Sequence, residues 1–432
     1  MKDKYKFLQP TYYKDFRCSG SSCKINCCSY NWKISVDKQT YLYYKTIKEP
    51  DYFVSLLNKY VKRDRTSKNS LSYAKVVHKK ELTKLDYTLT ADEVDQTISE
   101  YYNVSSCPFQ DKDGLCEIHK NLGEKGLCYT CQSYPRNVNN IFNNYERSLV
   151  IGCEEVSKLL YSLEDGICFE LVEDDKSIKY NYVVDLSKNK NRIINYFDDI
   201  RLVCLQLLQL RNYSLDDRMI LLSILMLKID ELSNNNKYDD IPLYLNSFFD
   251  NISIYEDILK IDKQNQSLPL NMSKKIMSSN LNSCGTKEFC MEMKIGFLIL
   301  EKAISEIDNN NMISTLYNEF KENRSKLMKE KEYFIENIFV NLFFSKGFPF
   351  NGSNSVKECC TIFISYYIFY KSLLSVYLSN ADKLEEDLLH KISTLFGRMC
   401  ADQPVKLPEI LSYIKENNLD NLAHLAILIK SS

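Results

Sequence analysis

Glycine is scarce in this chain, with 11 in 432 residues, and no G-x-G-x-x-G follows an apolar strand-like run. A doubly wound dinucleotide-type domain needs those glycines at its first turn, where backbone must approach phosphate, so that architecture is not supported. Charge of one sign is also missing. Lys plus Arg number 56 against 57 Asp plus Glu, a formal net charge of −1. A nucleic-acid binder ordinarily carries a basic footprint, and the overall balance supplies none. Long apolar runs are absent too. The most apolar windows, Met219–Met226 and Cys360–Tyr370, fall short of the ~20 residues that a membrane-spanning helix requires. The start Met1-Lys2-Asp3-Lys4-Tyr5 has no apolar stretch behind it, unlike a secretory leader. The expectation is a soluble cytoplasmic protein that binds neither nucleic acid nor membrane. The abundance of Tyr, 31 residues, selects no function by itself.

Against these shortages stand 16 cysteines, unevenly spread. Nine of them, at 18, 23, 27, 28, 107, 116, 128, 131 and 153, precede residue 154. In a reducing compartment, thiols grouped at short spacing point to metal or redox chemistry before structural disulfides. The groups are Cys18-x4-Cys23-x3-Cys27-Cys28, Cys107-x8-Cys116-x2-His119 and Cys128-x2-Cys131, with Cys153 alone after Val150-Ile151. Spacings of two to four let two thiolates reach one centre from a single turn, and a distant pair then closes it. Cys18, Cys23, Cys27, Cys28, Cys107, Cys116, Cys128 and Cys131 are the candidate ligands. His119 is a weaker one, because a lone histidine is more often an ordinary surface residue. In an extended backbone the neighbours Cys27 and Cys28 diverge, so one of them is expected at any given metal. Zinc and an iron–sulfur cluster both accept four thiolates, and spacing does not separate them. Cys23-x3-Cys27 opens the three-cysteine pattern of radical enzymes, but Tyr30 stands where its third cysteine would fall. A redox dithiol at Cys128 and Cys131 ranks below the metal reading, since no thioredoxin-like strand–helix pattern surrounds it.

The chain divides into two kinds of sequence. Residues 1–190 hold the cysteines, many turn signals and short strand-like segments such as Trp32–Val36 and Tyr180–Leu186, with a polar loop at 62–70. Residues 191–432 read as helical. Apolar residues recur at nearly 3.6 spacing in Arg192–Leu210. Further helices are expected at Asp216–Leu232, Lys287–Ile307, Ser314–Leu327, Glu330–Phe344, Val356–Leu378, Leu384–Arg398 and Leu407–Asn417. Phe348-Pro349-Phe350 should end the helix that begins near Glu330. The fold class is therefore mainly α: a metal-binding, cysteine-rich α+β or irregular domain, then an all-α domain.

The segment Phe16-Arg17-Cys18 through Cys27-Cys28, followed by Trp32, Ile34, Asp37, Thr40 and Tyr41, resembles the opening of the flagellin lysine-N-methylases. Cys107-Pro108-Phe109, Leu115-Cys116, Leu122-Gly123-Glu124, Thr130-Cys131 and Tyr134-Pro135-Arg136 continue the resemblance, which extends to the wider zinc- or iron-chelating cysteine-cluster domains. In the helical half, Glu336-Asn337, Val340-Asn341-Leu342-Phe343 and Phe348-Pro349-Phe350 resemble another segment of the family. Two departures stand out: Cys153-Glu154-Glu155 lacks a proline after the cysteine, and Arg398-Met399-Cys400-Ala401 lacks an acidic–histidine pair. The resemblance implies methyl transfer from S-adenosylmethionine to lysine side chains of flagellin, and an iron–sulfur cluster, expected as 4Fe–4S with zinc as the alternative. Tyr134 and Arg136 are the candidates for substrate or donor contact, against a plain role in a turn that packs the cysteines. No residue is singled out as a catalytic base. The competing reading is a non-enzymatic metal-binding module joined to a helical interaction domain.

Overall fold

The computed structural model describes residues 5–29, 34–77, 107–142, 144–174, 184–186, 191–261, 269, 271–273, 315–350, 355–378, 385–398 and 407–432. Trp32, Cys284, Cys290, Cys400 and the expected helix Lys287–Ile307 lie outside them. The fold is mainly α, and among the described residues every strand precedes residue 175.

Two hydrophobic cores organise the chain. The smaller is built on a three-stranded antiparallel sheet of β2 (Ser35–Val36), β4 (Ala74–Val76) and β3 (Val61–Arg63), in that order. Two helices cover it, α1 (Lys38–Thr46) and α2 (Asp51–Tyr60). Asp37 starts α1 as a side-chain cap, accepting from the Thr40 N–H at 2.9 Å and satisfying one of the orphan donors of the first turn. Val36, Phe53, Leu57, Val61 and Phe109 fill this core, with Cys107 and Cys128 at its edge. The polar stretch 62–70 begins inside β3, and its remainder is an exposed turn closed by Asp64 onto Thr66.

The larger core joins residues on both sides of position 190. Tyr12, Phe16, Leu149, Val156 and Leu160 pack with the buried faces of the C-terminal helices. The first of these contributors hang on a four-stranded mixed sheet, ordered β5 (Arg136–Ile141), β6 (Asn144–Leu149), β1 (Tyr5–Pro10), β7 (Phe169–Asp174). β5 and β6 form a hairpin, β6 runs parallel to β1, and β7 returns antiparallel. The polar spelling Arg-Asn-Val-Asn-Asn-Ile conceals β5. Asn139 and Asn140 are buried there: Asn139 donates to Ser345 O and accepts from Val184 N, and Asn140 bonds Val184 and Leu186 through its backbone. Of the expected strand Tyr180–Leu186, the described part is this short bridge at Asp185. Helix α5 (Glu154–Tyr161) follows the sheet hairpin.

The helical half surrounds one central helix, α7 (Leu215–Asn234). Ser214 caps it through the Asp217 N–H, and Asp216 and Asp217 favour the positive end of its dipole. Met219–Met226 is buried on every side, which is why this run is apolar all round rather than on one stripe. Around it pack α6 (Phe197–Leu208), entered through a 3-10 turn at Arg192–Tyr196, then α11 (Val356–Leu378) and α14 (Leu422–Ser431). The two helices expected at 314–327 and 330–344 are one element, α10 (Thr315–Ser345), bent at Lys331, whose φ of −130° leaves the helical region. The end of α10 corrects the expectation for Pro349. The helix stops at Ser345, four residues earlier, because Gly347 takes φ +63° and the Phe348 N–H returns to Phe343 O at 3.0 Å. This is a Schellman ending, and the proline follows it.

Candidate metal centre

Each cysteine segment is shaped by its own backbone chemistry. The loop 18–28 ends in a 3-10 turn at Cys27–Ser29. That turn corrects the expected divergence of Cys27 and Cys28: the backbone is not extended there, and the two sulfurs share a hydrogen bond. The Cys107 N–H donates to Cys28 O at 3.1 Å and holds the second segment against the first. Asp111 folds the next stretch back, accepting from Asp113 N and Leu115 N at 2.9 and 2.8 Å, with Gly114 at φ +78°. Cys116 is thereby returned opposite Gln110. It starts α3 (Glu117–Leu122), which ends at Gly123 with φ +68°. Cys128 starts α4 (Tyr129–Ser133), one turn that carries Cys131.

Six thiols, from Cys27, Cys28, Cys107, Cys116, Cys128 and Cys131, lie close enough to act on one another's charge. Within each adjacent pair one thiolate is favoured. The Cys28 thiol donates to Cys27 and, opposing burial, draws it down to about 7, with the Arg398 guanidinium assisting. Cys131 does the same for Cys128 and is itself pushed up. Burial pushes Cys107 up to about 12 and raises Cys116. A backbone pattern opposes that burial. The N–H groups two and three residues onward reach the sulfur at Cys107 (Phe109, Gln110), Cys116 (Ile118, His119) and Cys128 (Thr130, Cys131). Cys153 repeats it with Glu155 and Val156. Such donors suit a sulfur that carries negative charge, and hydrogen bonds to sulfur tune thiolate-bound clusters.

A second group adjoins the first. Cys27 and Cys18 act electrostatically on Cys153, and Cys153 on Cys23. Cys23 donates to the buried Glu154 carboxylate at 3.3 Å and is pushed up to about 12, by burial first and Glu154 second. Glu154 also accepts from Ile25 N at 2.9 Å and pairs with Lys158. Arg398 completes the fastening, donating to Ile25 O at 2.7 Å and Gly152 O at 3.0 Å. The cysteine loop is thus tied to α5 and to the residues just after α12 (Glu386–Phe396). Both departures noted in the sequence, Glu154 and Arg398, lie in this junction. Sequence reasoning did not single them out as site residues, since a lone Glu and a lone Arg carry no spacing signal.

The donor set fits a thiophilic metal by its chemistry. Among the described residues no three or more His, Cys, Asp or Glu side chains are grouped so as to hold a metal ion. Zinc draws each thiolate to about 2.3 Å. A multinuclear cluster binds each thiolate through a different iron and so accepts sulfurs set farther apart. His119 turns its side chain to solvent and contributes only backbone to Cys116. Tyr134, half-buried, follows α4 directly, while Arg136 opens β5 with its guanidinium 4.9 Å from the Phe16 ring centre. Cys204, Cys359 and Cys360 are buried among helices in the larger core.

The motif Glu336–Phe350 lies inside that core. Glu336 pairs with Arg211 and Arg218; Asn337 donates to Leu160 O and Leu163 O; Asn341 donates to Leu149 O and accepts from the Tyr12 hydroxyl. These polar residues bolt α10 to β6, α5 and the segment after β1. Among the described residues no helix is long and apolar enough to cross a membrane.

Comparison with known proteins recognises the helical body. The model of the FliB lysine N-methylase C-terminal domain matches residues 201–428, and the chain belongs to that family. The chain is 22% identical to the lysine-N-methylase of Salmonella typhimurium over 406 residues, 88% of each protein. It is 28% identical over 159 residues to the flagellar biosynthetic protein FliU of Salmonella muenchen, which is 37% of this chain and 79% of that one. No solved structure matches. The family model begins after the clustered cysteines of 18–153, so it speaks to the helical half.

Proposed function

We propose that the protein transfers methyl groups from S-adenosylmethionine to surface lysines of flagellin, and that the thiols of the 18–153 region hold an iron–sulfur cluster on which the fold depends. The observation that carries the enzymatic reading is the match to a lysine-N-methylase along 88% of both chains. The flagellar name of the second relative supports the substrate. The thiol-centre reading is supported by six thiols close enough to act on one another's charge, and the family resemblance favours a cluster over zinc. Four of the six thiols Cys27, Cys28, Cys107, Cys116, Cys128 and Cys131 would hold it.

The reaction itself is a displacement. The lone pair of the lysine nitrogen attacks the sulfonium methyl carbon, the carbon–sulfur bond breaks, and the thioether leaves with the electron pair. The nitrogen must first be neutral, and a free lysine titrates at about 10.4, so the site has to desolvate or deprotonate it. No radical is required. Incubating purified protein with flagellin and S-adenosylmethionine should give mass shifts in methyl-sized steps. Protein that holds its metal, binds no donor and leaves flagellin unmodified would favour the non-enzymatic metal-binding reading.

A further inference from the structure

Asp37 does more than start a helix. One carboxylate oxygen accepts from Thr40 N at 2.9 Å, the helix cap of α1. The other accepts from the Thr40 hydroxyl at 2.8 Å and, across 92 positions of sequence, from the Tyr129 N–H at 3.1 Å. Tyr129 immediately follows Cys128, and its N–H is the first donor of the turn that carries Cys131. The same part of the chain holds this turn at two further places: Thr130 Oγ1 donates to Ser35 O at 2.8 Å, and the buried Tyr44 hydroxyl donates to Gly126 O at 2.7 Å. The strand–helix unit β2–α1 therefore grips the Cys128–Cys131 turn from outside, and Asp37 is the charged point of that grip.

The structure assigns Asp37 the part of a positioning residue: its second oxygen fixes the orientation of the Cys128–Cys131 thiol pair toward the other cysteines, independently of its capping of α1. The inference rests on the thiol-centre reading above. The chemistry separates the two duties. Asparagine offers one acceptor oxygen where aspartate offers two. Asp37→Asn keeps an oxygen for Thr40 N, a position at which asparagine is as good a cap as aspartate. It then presents an N–H₂ group to the N–H of Tyr129, donor against donor. Thr40→Ala removes only the hydroxyl bond and leaves the Tyr129 contact in place.

The test uses full-length, anaerobically purified protein: wild type, Asp37→Asn, Asp37→Ala and Thr40→Ala. Metal content is measured first, then each holo protein is alkylated with iodoacetamide. Modification rates are read at individual cysteines by mass spectrometry. Losing a hydrogen bond to a charged group should speed alkylation at Cys128 and Cys131 by about tenfold in Asp37→Asn and Asp37→Ala. Rates at Cys107 and Cys116 should stay near wild type, and Thr40→Ala should match wild type throughout. Holo Asp37→Asn should also release its metal to a chelator faster than Thr40→Ala does. Equal acceleration at all four cysteines would mean general loosening and overturn a local role, as would unchanged rates in both Asp37 variants. Wild-type protein without bound metal would instead overturn the thiol-centre reading on which the assignment rests.

Discussion

Replacing Glu336 with glutamine isolates the polar bolt at the middle of the helical body. The carboxylate is 1% exposed and takes Arg211 on one side, at 2.9 Å, and Arg218 on the other, at 2.6 Å. The two partners count unequally. Arg211 is 41% exposed, so solvent screens its share to a fraction of a kcal/mol or about 1 kcal/mol. Arg218 is as buried as Glu336 and keeps Leu208 O and Glu332 as its other partners. Removing one member of a buried pair strands the other charge and costs about 3–5 kcal/mol. The retained Glu332 places the expected loss near the lower end, about 3 kcal/mol. Urea unfolding of wild type, Glu336→Gln, Arg218→Met and the double variant would measure it, with a coupling of about 1–3 kcal/mol between the two sites. A coupling under about 0.5 kcal/mol would refute the argument. So would a folded, fully stable Glu336→Gln that had lost methyl transfer, because then the acid would serve the chemistry rather than the scaffold.

The remaining expectations concern backbone and thiols. Gly347→Ala should cost about 1–2 kcal/mol by thermal or urea unfolding, since the position needs a positive φ and a new Cβ would lie 3.1 Å from Val184. Gly397→Ala should be worse for the metal region than for the helices. Its Cβ would fall 2.4 Å from Gly152 N and 2.6 Å from Ile151 C, so the junction that Arg398 closes must part. Faster loss of metal with near-native circular dichroism is the expected result, and unchanged retention would refute it. Anaerobic protein should be brown and contain iron and sulfide, whereas full zinc occupancy without iron would sink the cluster. Cys116→Ser should lower metal content, while Cys204→Ser should not, because Cys204 is buried in the larger core away from the other group.

The sequence by itself determined the helical half and the grouping of the thiols along the chain. Apolar periodicity is a local property, and helices are local structures, so Val356–Leu378 was legible residue for residue and α7 nearly so. Metal-type cysteine spacing is equally local, because a single turn sets it. The family motifs named the right segments without saying what they do: Glu336, Asn337 and Asn341 turn out to join α10 to its neighbours. What only the tertiary structure decided is how distant segments meet. The strands β1 and β7 escaped notice because their partners are remote in sequence, and the β5–β6 hairpin because polar residues spell it. In β5, buried asparagines are satisfied by backbone more than 40 and 200 residues away, which no alternation pattern reports. The helices α1 and α2 were missed for a related reason, since each is short and buries only one or two residues, Tyr44 in α1 and Phe53 and Leu57 in α2, in the small core. The same holds at the metal region. Asp37, Glu154 and Arg398 hold the cysteine segments through one or two long-range hydrogen bonds each. A bond of that kind leaves no periodicity and no spacing, only a position that folding brings within about 3 Å.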